Sequence, residues 1–372
     1  MNEATLGRRV GLLVRPYVAV LDPALLALVG CLAVIGMTTL YSAGFDFPWR
    51  VSDQMRNLGI ALGVMFVVAN VPPQLLMRLA VPVYLAGVAL LVATEVAGVT
   101  VKGATRWLDI GIGRIQPSEI MKLGLPMMLA WYFHKREGGL RSYDFVIAAV
   151  LVAVPVALIM KQPDLGTSLL VLSAGSFVIF FAGLPWRWLA AIVVAGLAAL
   201  PLAWTMLHDY QRERVMTLID PSTDPLGKGF HTLQAMIAIG SGGVFGKGWM
   251  QGTQTHLEFI PERTSDFIFA VYSEEFGLVG NIVLVLLFFA LIWRAMSIAI
   301  SAPTLFARLL AAALGLIVFT YAFVNMGMVS GILPVVGVPL PFISYGGTAL
   351  VTLGMACGML MSIGAQRKLV QS

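Results

Sequence analysis

The chain has 372 residues, of which 59% are hydrophobic and only 12% charged, with a formal net charge of +5. A soluble domain carries about 25% charged residues, so this chain could not cover its surface with polar groups, and lipid is the solvent for most of it. Its basic residues are scattered, which excludes a nucleic-acid-binding face; its two cysteines, Cys31 and Cys357, sit in apolar stretches, too few for a disulfide framework and wrongly placed for zinc.

A helix needs about 20 mostly apolar residues to cross a bilayer. Ten stretches approach that length: 21–42, 57–72, 77–98, 117–134, 144–161, 166–184, 187–206, 266–293, 305–330 and 340–364. The expected fold is therefore an all-α polytopic membrane protein of ten transmembrane helices, forming a single domain over 1–372. The first stretch follows Arg8, Arg9 and Arg15. It is too long for a signal peptide, and Tyr41-Ser42-Ala43 is a poor cleavage site, so it reads as a retained helix. Ten spans return both termini to one side. Outside the long loop, basic residues favour that side, which the positive-inside rule makes the cytoplasm. Most acidic residues then fall on the outer face.

Between the third and fourth spans lies Lys102-Gly103-Ala104-Thr105-Arg106-Trp107-Leu108-Asp109, followed by Gly111 and Gly113. This segment breaks the rules for a continuous helix. The fourth span begins Gln116-Pro117-Ser118-Glu119, with Lys122 one turn inside. Glu119 and Lys122 share a helix face and can pair. Ser118 as a cap and Glu119 at the positive helix end is an ordinary structural account. It leaves unexplained a cation placed where the helix dipole disfavours it. Asp164 opens the sixth span, either as an N-cap or as a functional carboxylate.

Residues 207–265 form the one substantial polar insertion, between the seventh and eighth spans. They include Phe230, Phe245, Trp249 and Phe259, too many aromatics for a disordered loop, and loops this long usually have structure or function. His208 to Leu218 reads as a short amphipathic helix, and Asp220-Pro221 and Asp224-Pro225 as turns. Six glycines from Gly240 to Gly252 suggest backbone packed tightly over a neighbour. Asp266 follows this loop. It is either an N-terminal charge with Ser265 as cap, or a carboxylate partly desolvated at the bilayer edge, which suits a general base. Glu274 and Glu275 lie about 12 Å further along the axis, with no partner visible in the sequence. Between the ninth and tenth spans, the apolar segment 331–341 carries Pro334, Pro339 and Pro341, which prevent a helix. Irregular backbone at membrane depth survives only where protein buries it or where it lines a cavity, so a tight interfacial hairpin and a cavity wall are both open readings.

Soluble-enzyme signatures are missing. Gly246-Lys247-Gly248 does not fit G-x-x-x-x-G-K-S/T, there is no G-x-S-x-G elbow or H-E-x-x-H helix, and His134, His208, His231 and His256 are not spaced as ligands. The chemistry is left to charges near lipid, which are rare and usually functional or paired.

Five segments occur in order on this scaffold: Lys102-Gly103-Ala104-Thr105-Arg106-Trp107-Leu108, Gln116-Pro117-Ser118-Glu119, Gln162-Pro163-Asp164-Leu165-Gly166-Thr167-Ser168, Pro261-Glu262-Arg263-Thr264-Ser265-Asp266-Phe267 and Pro341-Phe342-Ile343-Ser344-Tyr345-Gly346-Gly347. They resemble the signature segments of the SEDS family (shape, elongation, division and sporulation proteins), over nearly the whole chain. Segment 331–341 resembles the RodA branch rather than the FtsW division branch. The family usually has His where this chain has Ser265, but the neighbouring carboxylate is retained.

The resemblance implies a peptidoglycan glycosyltransferase of the bacterial cytoplasmic (inner) membrane, with its site on the extracytoplasmic side. Its substrate would be lipid II, a disaccharide-pentapeptide on undecaprenyl diphosphate. It implies Asp266 as the essential carboxylate, most simply the general base, and Trp107 as a position needed for activity. Arg106, Lys122 and Arg212 are candidates for diphosphate contact, Arg by bidentate bonds and Lys as a point charge. Glu119 and Asp164 would orient these cations or bind a divalent metal, magnesium or manganese, for which the sequence supplies no complete ligand set. The implied partner is a class B penicillin-binding protein transpeptidase, with no nucleic acid. The alternatives are a lipid II flippase, whose site would lie near the midplane between repeats, and a scaffold that would not need Asp266. No repeat is visible here, and the charges gather at one face.

Overall fold

Prolines start four of the helices. Pro23, Pro48, Pro73 and Pro117 open α1 (Pro23–Ala43), α2 (Pro48–Ala69), α3 (Pro73–Ala97) and α4 (Pro117–Lys135), where the missing N–H is no loss and the fixed φ suits a helix. There follow α5 (Ser142–Lys161), α6 (Leu165–Phe181), α7 (Trp186–Met206), α8 (Lys228–Ser241), the single turn α9 (Thr253–His256), α10 (Ile268–Ser301), α11 (Leu305–Val329) and α12 (Thr348–Val370). This computed structural model describes residues 17–101, 104–109, 111, 114–206, 212, 216, 228–256 and 262–370. The expected helix at His208–Leu218, apart from Arg212 and Met216, and the two Asp-Pro turns lie outside them.

Ten of these helices fall on the ten apolar stretches. Six of them, α1, α3, α5, α10, α11 and α12, are long and apolar enough to cross a membrane, which makes the chain a membrane protein. Three boundaries differ from expectation. The second helix starts at Pro48 rather than near 57, taking Arg50, Asp53 and Arg56 into its early turns. The last starts at Thr348 rather than near 340, because Pro341 and Gly346-Gly347 hold the preceding segment out of the helix. The eighth is not continuous.

At Gly277 (φ 63°, ψ −160°) the ladder of α10 opens, and the glycine-rich segment completes it. Lys247 N donates to Glu274 O and Gly248 N to Glu275 O, both at 3.0 Å. Leu278 N and Val279 N donate to the Gly243 and Val244 carbonyls at 3.0 and 3.1 Å. Backbone groups freed at membrane depth must find such partners. A Cβ on Gly242 or Gly246 would collide with the Ser273 or Glu275 carbonyl, which is why this segment is rich in glycine.

The fold is also not purely helical. β1 (Val99–Val101), β2 (Ala104–Asp109) and β3 (Arg114–Ile115) form a small antiparallel sheet in that order, with Val99 opposite Trp107 and Leu108 opposite Ile115. The β-branched Val99, Thr100, Val101 and Thr105 favour extended chain here, so the segment folds as a hairpin.

At the centre stands α11. Of its most apolar stretch 78% is buried, against 28% for α10, and it packs on α10, α6 and α4. Being covered by helices on several sides lets it carry polar side chains inward.

Candidate active site

Two polar clusters form where α4, α6 and α10 begin. In the first, Pro117 takes the first helical position of α4, so Gln116, not Ser118, holds the cap position. Ser118 Oγ is buried without a hydrogen-bond partner. Gln116 Nε2 instead donates to Asp164 Oδ2 at 3.2 Å. Asp164 caps α6, its Oδ1 accepting from Thr167 N at 3.1 Å. It also faces Arg106, whose Nη1 is 3.7 Å from Oδ2 and whose Nη2 donates to Pro163 O at 2.7 Å. The cap reading and the site reading of Asp164 thus hold together.

Glu119 and Lys122 pair as their spacing suggests: Lys122 Nζ donates to Glu119 Oε1 at 2.6 Å and to Tyr321 Oη at 2.6 Å. Lys122 is 2% exposed and Tyr321 is fully buried. A cation so covered would be costly alone, and the two oxygens offset that cost.

The second cluster surrounds Asp266, in the turn that precedes α10. Ser265 does not cap that helix. Phe267 holds the cap position without a side-chain bond, and Ser265 Oγ donates to Glu262 Oε2 at 2.9 Å. The turn is clamped from several elements. Tyr345 N donates to Thr264 O at 2.9 Å, and Ser344 Oγ to Ser265 O at 2.7 Å. Arg50 donates to Thr264 Oγ1, and Arg263 donates to Ala43 O and pairs with Asp46. From α11, Asn325 Nδ2 donates to Asp266 O at 2.9 Å and to Val338 O at 2.7 Å. Gly337 (φ 71°) forms the wall beside the carboxylate: a Cβ there would sit 3.4 Å from Asp266 Oδ2. On its other side, segment 336–338 meets α6, since a Cβ on Gly166 would lie 2.5 Å from Val336 O. Segment 331–341 is thus a packed wall between the start of α6 and Asp266.

The clusters are joined through α11. Tyr321 and Asn325 are four residues apart, hence on one face about one turn from each other; the first holds Lys122, the second the Asp266 backbone. Arg106, Glu119, Lys122, Asp164 and Asp266 therefore gather at one end of the bundle. Trp107 is half-buried beside them on β2; successive strand residues face opposite ways, so it points away from the face Arg106 uses. Arg212 is bound elsewhere, with Nε and Nη2 donating to the Trp204 and Thr205 carbonyls at 3.2 and 2.8 Å. A cation on the last turn of a helix is favourable by itself.

Tyr321, Asn325, Ser344 and Arg50 escape a reading by spacing, because their contacts with Lys122, Asp266, Ser265 and Thr264 join residues 59 to 214 positions apart. The one available signal was Asn325, an amide in an apolar helix. Glu274 and Glu275 find their partners in the glycine-rich segment and on α1: Lys247 Nζ donates to Glu274 Oε1 at 2.7 Å, and Met250 N and, from α1, Ser42 Oγ donate to Glu275 Oε1. Among the described residues, no three His, Cys, Asp or Glu side chains converge to hold a metal ion. Both Asp164 oxygens already have protein partners. Glu119 Oε1 is taken by Lys122, which leaves Glu119 Oε2 as the one open oxygen of these two carboxylates; among the described residues that is too few donors for a divalent cation held by the protein alone.

Residues 18–369 match the family model of the FtsW, RodA and SpoVE cell cycle proteins. The chain is 48% identical over 351 residues to the peptidoglycan glycosyltransferase MrdB of Escherichia coli, covering 94% of this chain and 95% of that one. It resembles a chain from a peptidoglycan synthase complex that coordinates polymerization and crosslinking, with a TM-score of 0.81, 33% identity and coverage of 93% and 98%. It also resembles the rod shape determining protein RodA of Thermus thermophilus, with a TM-score of 0.71, 31% identity and coverage of 93% and 97%. With matches spanning nearly all of its length, the chain belongs to the FtsW, RodA and SpoVE family.

Proposed function

We propose that this protein is a peptidoglycan glycosyltransferase that polymerises lipid II into glycan strands for lateral wall growth, with Asp266 as general base. The observation that carries the reading is the Asp266 carboxylate against the Gly337 backbone, at the same end of the bundle as Arg106 and the Glu119–Lys122 pair. The relatives named as peptidoglycan glycosyltransferase and synthase support the reaction class.

In the proposed step, Asp266 takes the proton of the acceptor sugar's 4-hydroxyl as that oxygen attacks the anomeric carbon of the growing strand. The bond from that carbon to the diphosphate breaks, and undecaprenyl diphosphate leaves. Arg106 meets the departing charge; its Nε is buried without a hydrogen-bond partner, so a donor is in reserve. Lys122, bonded to Glu119 and Tyr321, forms a neutral pair that fixes the start of α4 against α11 instead of meeting the diphosphate directly.

The proposed topology has ten spans in one domain, both termini in the cytoplasm of a bacterial cell, and residues 207–265 with the site on the outer side of the inner membrane. There the substrate's lipid stays in the bilayer while its diphosphate and sugars reach the charges. The proposed partner is a class B penicillin-binding protein transpeptidase, supported by the likeness to a chain of a synthase complex.

The test is polymerisation of labelled lipid II by the protein purified with its transpeptidase, comparing wild type with Asp266→Asn. Strands from wild type alone, with the variant folded and partner-bound, are expected. Strands from both would remove Asp266 as base. Strands from neither, beside active controls, would turn the reading toward a flippase or scaffold.

A further inference from the structure

Asn325 is 0% exposed, on the most buried of the long helices. Its two hydrogen-bond partners, Asp266 O and Val338 O, are both main-chain carbonyls. Only the amide nitrogen can serve two acceptors, which fixes the orientation of the group. The same orientation turns Oδ1 away, and that atom is buried without a hydrogen-bond partner. A buried acceptor left open is a cost that native structures seldom carry without reason. Leucine would fill the same space without it. What asparagine adds is two N–H donors on a short, uncharged stem.

Those two donors meet the two backbones that flank the Asp266 carboxylate. One carbonyl is that of Asp266 itself. The other belongs to Val338, next to Gly337, whose backbone is the wall beside Oδ2. One side chain thus sets the spacing between the carboxylate's own main chain and the surface it lies against. The geometry points to Asn325 as a positioning residue that acts through Asp266, holding the carboxylate in register with the substrate's hydroxyl without touching substrate. This inference rests on the reading of Asp266 as general base.

The test is Asn325→Leu and Asn325→Ser, the second keeping one donor where the first keeps none, in the holoprotein with its transpeptidase. Turnover per folded molecule and KM for lipid II are measured beside wild type and Asp266→Asn. Since a misplacement of about 1 Å can cost about 100-fold in rate, the leucine variant is expected to lose about tenfold or more in kcat with KM unchanged. The serine variant is expected to fall between it and wild type. A merely structural role would lower the yield of folded protein and leave kcat per folded molecule intact. Leucine and serine variants with wild-type kcat would overturn the inference, as would failure of both to fold, since the amide would then hold the fold and not the site. Failure of the underlying reading looks different: an active Asp266→Asn protein, or an inactive wild type.

Discussion

Glutamine at position 274 would keep the shape of the side chain and remove its charge. The Glu274 carboxylate is fully buried in α10 and accepts from five donors. Lys247 Nζ (2.7 Å), Gln254 N (3.0 Å) and Thr253 Oγ1 (3.2 Å) reach Oε1. Thr255 Oγ1 (3.2 Å) and Thr255 N (3.4 Å) reach Oε2. An amide has one accepting oxygen, so its NH2 must face donors on one side. The Thr255 hydroxyl can rotate away, but the Thr255 N–H cannot, and Lys247 loses its counter-ion. Removing one partner of a buried ion pair costs about 3–5 kcal/mol. The Lys247 side chain is 25% exposed, and water softens its loss, so Glu274→Gln is expected at the low end, about 3 kcal/mol. Lys247→Met should cost a similar amount by stranding the carboxylate. The double variant removes both charges and should be more stable than the sum of the single losses by about 2 kcal/mol, within the range of coupled neighbours. Denaturant unfolding in detergent, followed by tryptophan fluorescence, measures all four proteins. Additivity of the two single losses would refute the reasoning, because it would mean that the charges do not depend on one another.

Lys122→Met leaves the Glu119 carboxylate facing a buried gap and is expected to cost about 3–5 kcal/mol; adding Glu119→Gln should restore most of the stability but not polymerisation, and restored strand synthesis would take the pair out of the mechanism. Gly337→Ala puts a methyl group 3.4 Å from Asp266 Oδ2 at a φ of 71°, where a side chain costs about 1–2 kcal/mol. Its kcat should fall with KM for lipid II unchanged, and an unaltered kcat would show that this wall does not set the carboxylate. Arg212→Ala should leave KM and turnover for lipid II unchanged while amide exchange quickens at the end of α7. A raised KM would return Arg212 to the diphosphate.

Much of the site could be read along the chain wherever its partners are near in sequence. Glu119 and Lys122 lie three residues apart on a helix, and that spacing alone places them side by side. Asp164 stands where a cap must stand, and the prolines of segment 331–341 keep it from becoming a helix. The six glycines from Gly240 to Gly252 announced a close approach without saying to what. Ser118 and Ser265 misled, because a serine before a helix reads as a cap until Pro117 shifts the cap position to Gln116, or Glu262 draws the hydroxyl away.

Composition and the period of apolar stretches were enough to determine a membrane bundle, since burying 59% hydrophobic residues leaves few other arrangements. Tertiary structure alone decided which charges meet. Lys122 finds Tyr321 199 positions away, Glu274 finds Lys247 where the glycine-rich segment docks beside the break at Gly277, and Asn325 joins Asp266 to Val338. A helix specifies its own neighbours through a fixed rise and turn. Which face of α11 looks toward Lys122 and Asp266 depends on how every other helix packs around it.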